Sequence, residues 1–369
     1  MAKNDGTIRC AIREHRRRQG LSQDELARLV GVRRQAIYDM EAERYLPNTA
    51  VALRLARALG CPVENLFIEE SQAVLGNISL LSGAEGSARL ALAQVREKIV
   101  GIPLRWAQAA PFKLEAADGF LLPDKTVECL IPPDQMAKAV IILGCDPALN
   151  VLGSLMARLA PGIRAHTVFA SSRQALLSVK EGKAHVAGIH YHSAGSSNAN
   201  LEAVRALAPE MDSLIIAISA QEEGFMVASG NPLGLRTVED IANKKTRFLN
   251  REEGAALRKL LDTQLSRHSL PVSEVKGYTE EVRSHSEGAI RVAGGTADAA
   301  LGLRIVAESF GLGFVPLAVT SSDLVIPSDL RDHPGITLLL DALQSRSLRK
   351  ELASLPGCSS SDTGKMISG

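Results

Sequence analysis

The chain is poor in aromatic residues and has no paired cysteines. Aromatics make up 4% of its 369 residues, with a single tryptophan, Trp106. Its five cysteines, Cys10, Cys61, Cys129, Cys145 and Cys358, are scattered, and none stands in a CxxC pair. That spacing argues against a disulfide framework and against a zinc site. No run of 18 apolar residues occurs, so no transmembrane helix and no membrane partner are expected. Met1 to Arg18 is polar and arginine-rich without an apolar stretch, so no secretory signal is read there and a cytoplasmic location is expected. An excess of one charge is also missing, since the net charge is +1. Any nucleic-acid affinity must therefore come from a local patch.

What is present suits two or three globular domains. The chain is too long for one ordinary core, and 46% hydrophobic with 22% charged residues is an ordinary composition. Charge is unevenly placed. Residues 1–68 hold 12 Lys and Arg against 8 Asp and Glu, a net +4, which leaves −3 for the remainder. Concentrating positive charge at one end is what phosphate binding requires.

That basic end reads as short helices, so an all-α domain is expected over residues 1–70. Ile8 to Gln19 is one helix, closed by Gly20. Ser22 followed by Glu25 forms a capping box for Gln23 to Val30. Gly31 supplies a tight turn, and Arg33 to Glu41 follows with Ile37 and Met40 turned inward. Pro47 breaks the chain, Thr49 is expected to cap a fourth helix, and Val63 to Phe67 is a fifth. The stretch LSQDELARLVGVRRQAIYDMEAERYLPNTAVALRLARALGCPVENLF, Leu21 to Phe67, resembles the Cro and phage-repressor-like helix-turn-helix family. The resemblance implies double-stranded operator DNA as partner, with the second helix of the motif in the major groove. It makes Arg33, Arg34, Gln35 and Tyr38 base-reading candidates, Gln23 a phosphate or base-edge contact and Arg44 a phosphate contact. Arginine has the fork geometry for guanine and glutamine that for adenine. The family often has Ser or Thr where Arg33 stands, so this recognition helix lacks its usual cap. The bland alternative is a helical protein-interaction module with a solvated basic face.

Residues 71–136 read as a connector and a small β-rich subdomain. Asn77 to Leu81 and Val127 to Ile131 have strand character, while Ala88 to Ile102 fits strand or helix. Trp106 is expected to pack onto a neighbouring domain.

From Lys138 onward, short apolar runs alternate with helical segments. Examples are AVIILGCDPAL, IRAHTVFASS, AHVAGIHYH, DSLIIAIS, EGFMVAS and GFVPLAV. This alternation predicts a parallel, doubly wound sheet in a two-lobed α/β clamshell over residues 137–369. Extended crossings are expected near Ile218 to Glu223 and Pro316 to Thr320, with the chain after Thr320 returning to the first lobe. Ligands in such sheets bind at the carboxyl ends of strands.

Several stretches here, in order and spacing, resemble the molybdate-binding type of periplasmic-binding-protein (type II-like) domain. They are GCDPALNVL, SSRQALLSVKEGKAHVAGIHYH, SGNPLGLRTVEDIANKKTRFLNREEGAALRKLLD, GYTEEVRSHSEGAIRVAGGTADAALGLRIVAESFGLGFVPL and SSSDTGKMI. The resemblance implies a small-molecule or oxyanion effector such as molybdate, tungstate or a molybdopterin-related molecule. It points to Ser171 and Ser172 at a helix mouth, where free backbone N–H groups suit an oxyanion. It points also to Asn250, Arg251, Gly254 and Arg258, to Ser284 and His285, to Asp298, and to His190 at the end of a strand. Where the family carries small and hydroxyl residues, this chain has Ala255, Ala256 and Leu257. His190 and His192 share a strand face, but no third ligand lies near them, so no metal and no cofactor are expected. Each of these side chains also has a structural alternative as a helix cap, surface charge or core group.

No phosphate-binding loop and no nucleophile–base spacing is recognisable, so catalysis is not expected. The reading is a one-component transcriptional regulator, expected as a homodimer. The alternatives are an enzyme or binding protein of molybdenum-cofactor metabolism with a DNA-binding head, and a DNA-bound scaffold with a degenerate pocket.

Overall fold

Ser22, Glu25 and Gly31 set the first helices. In the computed structural model, which describes residues 7–70, 74–76, 78–82, 89–104, 115–192, 198–243 and 246–367, the Ser22 and Glu25 side chains cap each other's backbone at the start of helix Gln23–Val30. Gly31 ends that helix with φ +73°, a left-handed conformation that costs glycine little. Arg34–Glu41 follows with Arg33 at its N-cap, and no side chain caps it. Trp106 lies outside the described residues.

The chain divides into two compact units, residues 1–75 and 76–369. The first is helical around Ile12, Leu26, Val30, Ile37, Met40, Leu55, Leu59 and Leu66. Two expectations need correction here. Thr7–Cys10 is a strand, not the start of a helix, because it pairs antiparallel with Phe67–Glu70. Helix Ile12–Arg18 begins after it. The cap of Thr49–Leu59 is Asn48, whose Oδ1 accepts from the Val51 N–H at 3.0 Å.

In the second unit, alternate residues of each central strand face opposite layers, as the period of two dictates. Ile141 and Leu143 enter one core with Leu176, Val179 and Ile189. Val140 and Ile142 enter another with Leu149, Leu152, Ile336 and Leu339. The hairpin Arg89–Val95 and Lys98–Pro103 adds Ala91, Ala93 and Val100 to the first of these cores. The connector's sheet therefore does not stand alone; it is built onto the first lobe. Of the ambiguous Ala88 to Ile102, Ala88 lies outside the described residues, and the rest is strand because Arg89–Val95 and Lys98–Pro103 pair antiparallel across the turn at Arg96.

The main sheet is mixed rather than wholly parallel. Val140–Gly144, Ala165–Phe169 and Val186–Ile189 run parallel. They join two long antiparallel strands, Ser213–Val227 and Gly313–Pro327, which pair from Ser213 opposite Pro327 to Val227 opposite Gly313. DSLIIAIS and EGFMVAS are thus one strand, since the Ala220 to Glu223 link stays in register with its partner instead of turning. Register shifts at Ala217 to Ser219 and at Glu223 to Gly224 mark the crossings between lobes. Phe248–Arg251, Glu281–Val282 and Ala299–Leu303 complete the second lobe. Its cores hold Phe225 with Phe248 on one layer and Met226 with Leu249 on the other. Pro334–Gln344 and Arg346–Ala353 return to the first lobe through Leu339 and Leu348, and Cys358–Ser359 pairs with Ala220 and Gln221.

Candidate functional site

Two places gather polar side chains that the cores do not consume. In the first unit, Ile37 and Met40 bury the inner side of Arg34–Glu41. The helical period then turns Arg34, Gln35 and Tyr38 outward, and Arg33 precedes them, also exposed. Arg34, Gln35 and Tyr38 line one shallow concavity with Gln23. Gln35 donates to Asp39 Oδ1 at 3.0 Å, as does Arg44, whose guanidinium also lies 5.1 Å from the centroid of the Tyr38 ring. The acidic Asp39 is therefore neutralised by its neighbours on this face. Beneath it, Glu41 is buried and accepts from Arg16 at 2.6 and 3.0 Å. Burial works against its charge, but Arg16 and Gln23 hold its pKa below the usual glutamate value.

The second place is the cleft between the lobes, at the carboxyl ends of their strands. Ser171 caps helix Ser172–Lys180, with Oγ accepting from Gln174 N–H at 3.4 Å. Ser172 is buried, and its hydroxyl donates to the His190 carbonyl and accepts from the His190 N–H, each at 3.0 Å. His190 is thereby fixed at the end of Val186–Ile189. Its Nδ1 lies 3.5 Å from Cys145 Sγ, and its Nε2 lies 3.4 Å from Glu223 Oε1. Glu223 Oε2 is held by His192 Nε2 at 2.5 Å and by the Thr320 hydroxyl at 3.0 Å. Burial opposes a charge on His190, yet Cys145, Glu223 and Asp146 together raise its pKa to about 9. Burial likewise opposes charge on Glu223, but His192 and His190 lower its pKa.

Across the cleft, Arg251 is buried and its Nη1 lies 3.2 Å from His285 Nδ1. Burial and the Arg251 charge keep the His285 imidazole far below its ordinary pKa, hence neutral. Phe169 reaches over from the first lobe, edge-on to His285 at 6.3 Å and 6.0 Å from the Arg251 guanidinium. A cavity of about 370 Å³ opens between Ser171, Arg173 and Gln174 on one side and Glu253 and Gly254 on the other. Gly254 has φ +87°, and no atom lies within 4 Å of where a β-carbon would stand, so the loop leaves that space open.

The structure therefore brings Ser171 and Gly254 to one cavity, and His190, Arg251 and His285 to one cleft. Other expected site residues carry structural duties. Asn250 is buried, donates to the Tyr278 carbonyl at 3.0 Å and accepts from the Arg251 N–H at 2.9 Å. Arg258 pairs with Glu281 and stacks on Tyr278 at 4.9 Å. Ser284 caps helix His285–Ala293 through the Glu287 N–H at 3.0 Å. Asp298 stands apart from the cleft, because it precedes strand Ala299–Leu303 and pairs with Arg247 at 2.6 Å. Sequence reasoning did not single out Cys145, Phe169, Glu223 or Thr320. Cys145 directly follows a buried strand at its ligand-facing end, which is a usable signal. Nothing local marks Glu223, whose partners come from two other strands or their ends.

A helix-turn-helix family model matches residues 12–66, and a PBP superfamily domain model matches residues 153–344. An uncharacterized HTH-type transcriptional regulator of Methanothermobacter thermautotrophicus is 52% identical over 62 residues, 16% of this chain and 90% of that protein. Uncharacterized protein YvgK of Bacillus subtilis is 27% identical over 199 residues, 54% of this chain, and the chain spans 64% of that relative's length. Among solved structures, PEB3 with bound L-phospholactate is 15% identical with a TM-score of 0.43, covering 60% of this chain and 99% of that one.

Proposed function

We propose, on the premise that this chain belongs to the PBP superfamily and carries a helix-turn-helix domain of the transcriptional-regulator family, that it is a ligand-sensing transcriptional regulator. The observation that carries the reading is the outward set Arg34, Gln35 and Tyr38 grouped with Gln23 around one concavity. Side chains so placed on the second helix of the motif match base-edge and phosphate reading in a major groove. The operator is double-stranded DNA. The working state is a cytoplasmic homodimer, since two-fold operators ask for two recognition helices.

The effector is a small ligand held in the cleft. We favour an oxyanion of the molybdate or tungstate class, or a molybdopterin-related molecule. The support is chemical. Ser171 at a helix N-terminus and the open Gly254 loop line a cavity where Arg173 and Lys183 are balanced by Glu181 and Glu253, so bulk positive charge does not dominate it. Arg251 adds little net charge, since Glu252 neutralises it through two contacts of 2.9 Å. A ligand bound better by the closed cleft, where Phe169 meets Arg251 and His285, shifts the lobe equilibrium by its differential affinity. The chain acts by binding and not by turnover.

Two measurements test this. Selection from a random duplex pool should enrich one sequence, and the enriched duplex should bind with strong salt dependence. No enrichment removes the DNA reading. A thermal-shift titration against molybdate, tungstate, sulfate, phosphate and molybdenum cofactor should give a saturable rise for the first two or the last alone, about 2.7 kcal/mol at 100 times the dissociation constant. A flat series removes this effector class and favours a DNA-bound scaffold.

A further inference from the structure

Cys145 differs from the other four cysteines in its surroundings. Burial pushes the Cys10, Cys61 and Cys129 thiols up, and that of Cys358 to about 11. Among the described residues, no imidazole is hydrogen-bonded to any of those four sulfurs. Cys145 sits half-buried at the cleft, 3.5 Å from His190 Nδ1. His190 is buried, its Nε2 has no hydrogen-bond partner, and that atom lies 3.4 Å from Glu223 Oε1. Glu223 is in turn fixed by His192 and Thr320. The result is a thiol, an imidazole and a carboxylate in line, the order that activates a nucleophile.

We propose that Cys145 is a reactive thiol in the cleft, activated by His190 and Glu223, and that it adds to small, neutral, soft carbon electrophiles of the α,β-unsaturated carbonyl type. Neutrality follows from the Asp146 and Glu223 carboxylates, which act on His190 at this end of the cleft and disfavour an anion beside Cys145; the oxyanion effector belongs to the Ser171 and Gly254 cavity, whose lining includes neither carboxylate. All five cysteines are free, so the product is a single-thiol adduct. In the step, the proton of the Cys145–His190 pair already rests on His190, and the sulfur pair forms a bond to the electrophile's β-carbon. The pair of the broken C=C π bond moves to the α-carbon, which takes that proton from His190. Glu223 holds the imidazolium meanwhile.

The test uses the full-length folded protein and limiting N-ethylmaleimide, with labelling of each cysteine followed by peptide mass spectrometry. Cys145 should be labelled about tenfold or more faster than any other cysteine. His190→Gln should slow Cys145 by a similar factor and leave the other four unchanged. The buried Cys129 reports unfolding, since a loosened fold exposes it. If His190→Gln loosens the fold in this way, Glu223→Gln is read instead, with slower Cys145 labelling expected. Cys145 reacting no faster than Cys61 in the wild-type protein, or at its wild-type rate in a folded variant, overturns the proposal. Thiol chemistry is read here without DNA or effector, so this proposal and the regulator reading stand or fall separately.

Discussion

Gln23 donates its amide Nε2 to Glu41 Oε2 at 2.9 Å, tying the first residue of one helix of the turn motif to the last residue of the next. Glu41 also receives Arg16, so one buried carboxylate fixes three elements of the DNA-binding unit. Replacing Glu41 by Gln leaves the Arg16 charge without its counter-charge. The expected cost is about 3 kcal/mol to this unit. Hydrogen exchange by mass spectrometry should quicken in residues 12–66 and stay unchanged in residues 137–367. Equal protection in both regions would show that the contact contributes little.

Arg33→Ala and Arg34→Ala should each weaken binding to the selected duplex. If either reads a base, the loss is about 1–3 kcal/mol and discrimination relaxes at one position. If it contacts phosphate, affinity falls evenly across sequences and the salt slope drops by about 1. Arg44→Ala should follow the phosphate pattern. Fluorescence anisotropy over a salt series separates these cases, and three variants with wild-type curves would place the interface elsewhere.

Stability of the second unit should peak near pH 6.5. His185 Nδ1 accepts the Ile141 N–H at 3.0 Å, and its Nε2 lies 3.0 Å from the Gln94 carbonyl, an arrangement that suits the neutral ring. Burial, then His333, lowers its pKa to about 3. Its contribution is therefore complete above pH 6.5 and is lost as pH falls toward 3. His190 works in the opposite direction. With a folded pKa of about 9, its contribution is complete below pH 6.5 and is lost as pH rises through 9. The two limbs are on the order of 3 kcal/mol each. Denaturant unfolding at pH 5, 6.5 and 8.5 should show the maximum. His185→Gln should flatten the acid limb and His190→Gln the alkaline limb. A monotonic profile would contradict the assignment.

Gly224→Ala should destabilise the second unit by about 2–4 kcal/mol. A β-carbon there would collide with the Val315 carbonyl oxygen on the paired strand, and backbone cannot yield as a flexible side chain can. Gly224 adjoins the Glu223 register shift where the strands cross between lobes. The melting temperature should therefore fall, and effector binding should weaken with it. An unchanged melting curve would mean that the two strands separate easily at this crossing.

Most of the first unit was legible because its signals are local. A capping box, a left-handed glycine and a helical stripe each span fewer than a dozen residues. The same local logic misled at Ile8 to Cys10, whose strand pairing depends on Phe67 to Glu70, some sixty residues away. In the second unit, the alternation of buried strands and amphipathic helices announced an α/β clamshell, and the return of the C-terminal segment followed from it. The antiparallel pairing of Ser213–Val227 with Gly313–Pro327 was not legible, since register is a property of two distant segments. Site residues divide the same way. Ser171, Gly254 and His190 could be named because the family resemblance points to the loops where strands end and helices open. Glu223 could not, because its role exists only where Val186–Ile189 and the two crossing strands bring His190, His192 and Thr320 around it. The sequence by itself determined which residues are polar, capped or apolar. Tertiary structure alone decided which polar groups are stripped of water and set against one another, and desolvation at short range is what gives a carboxylate, an imidazole and a thiol their chemistry.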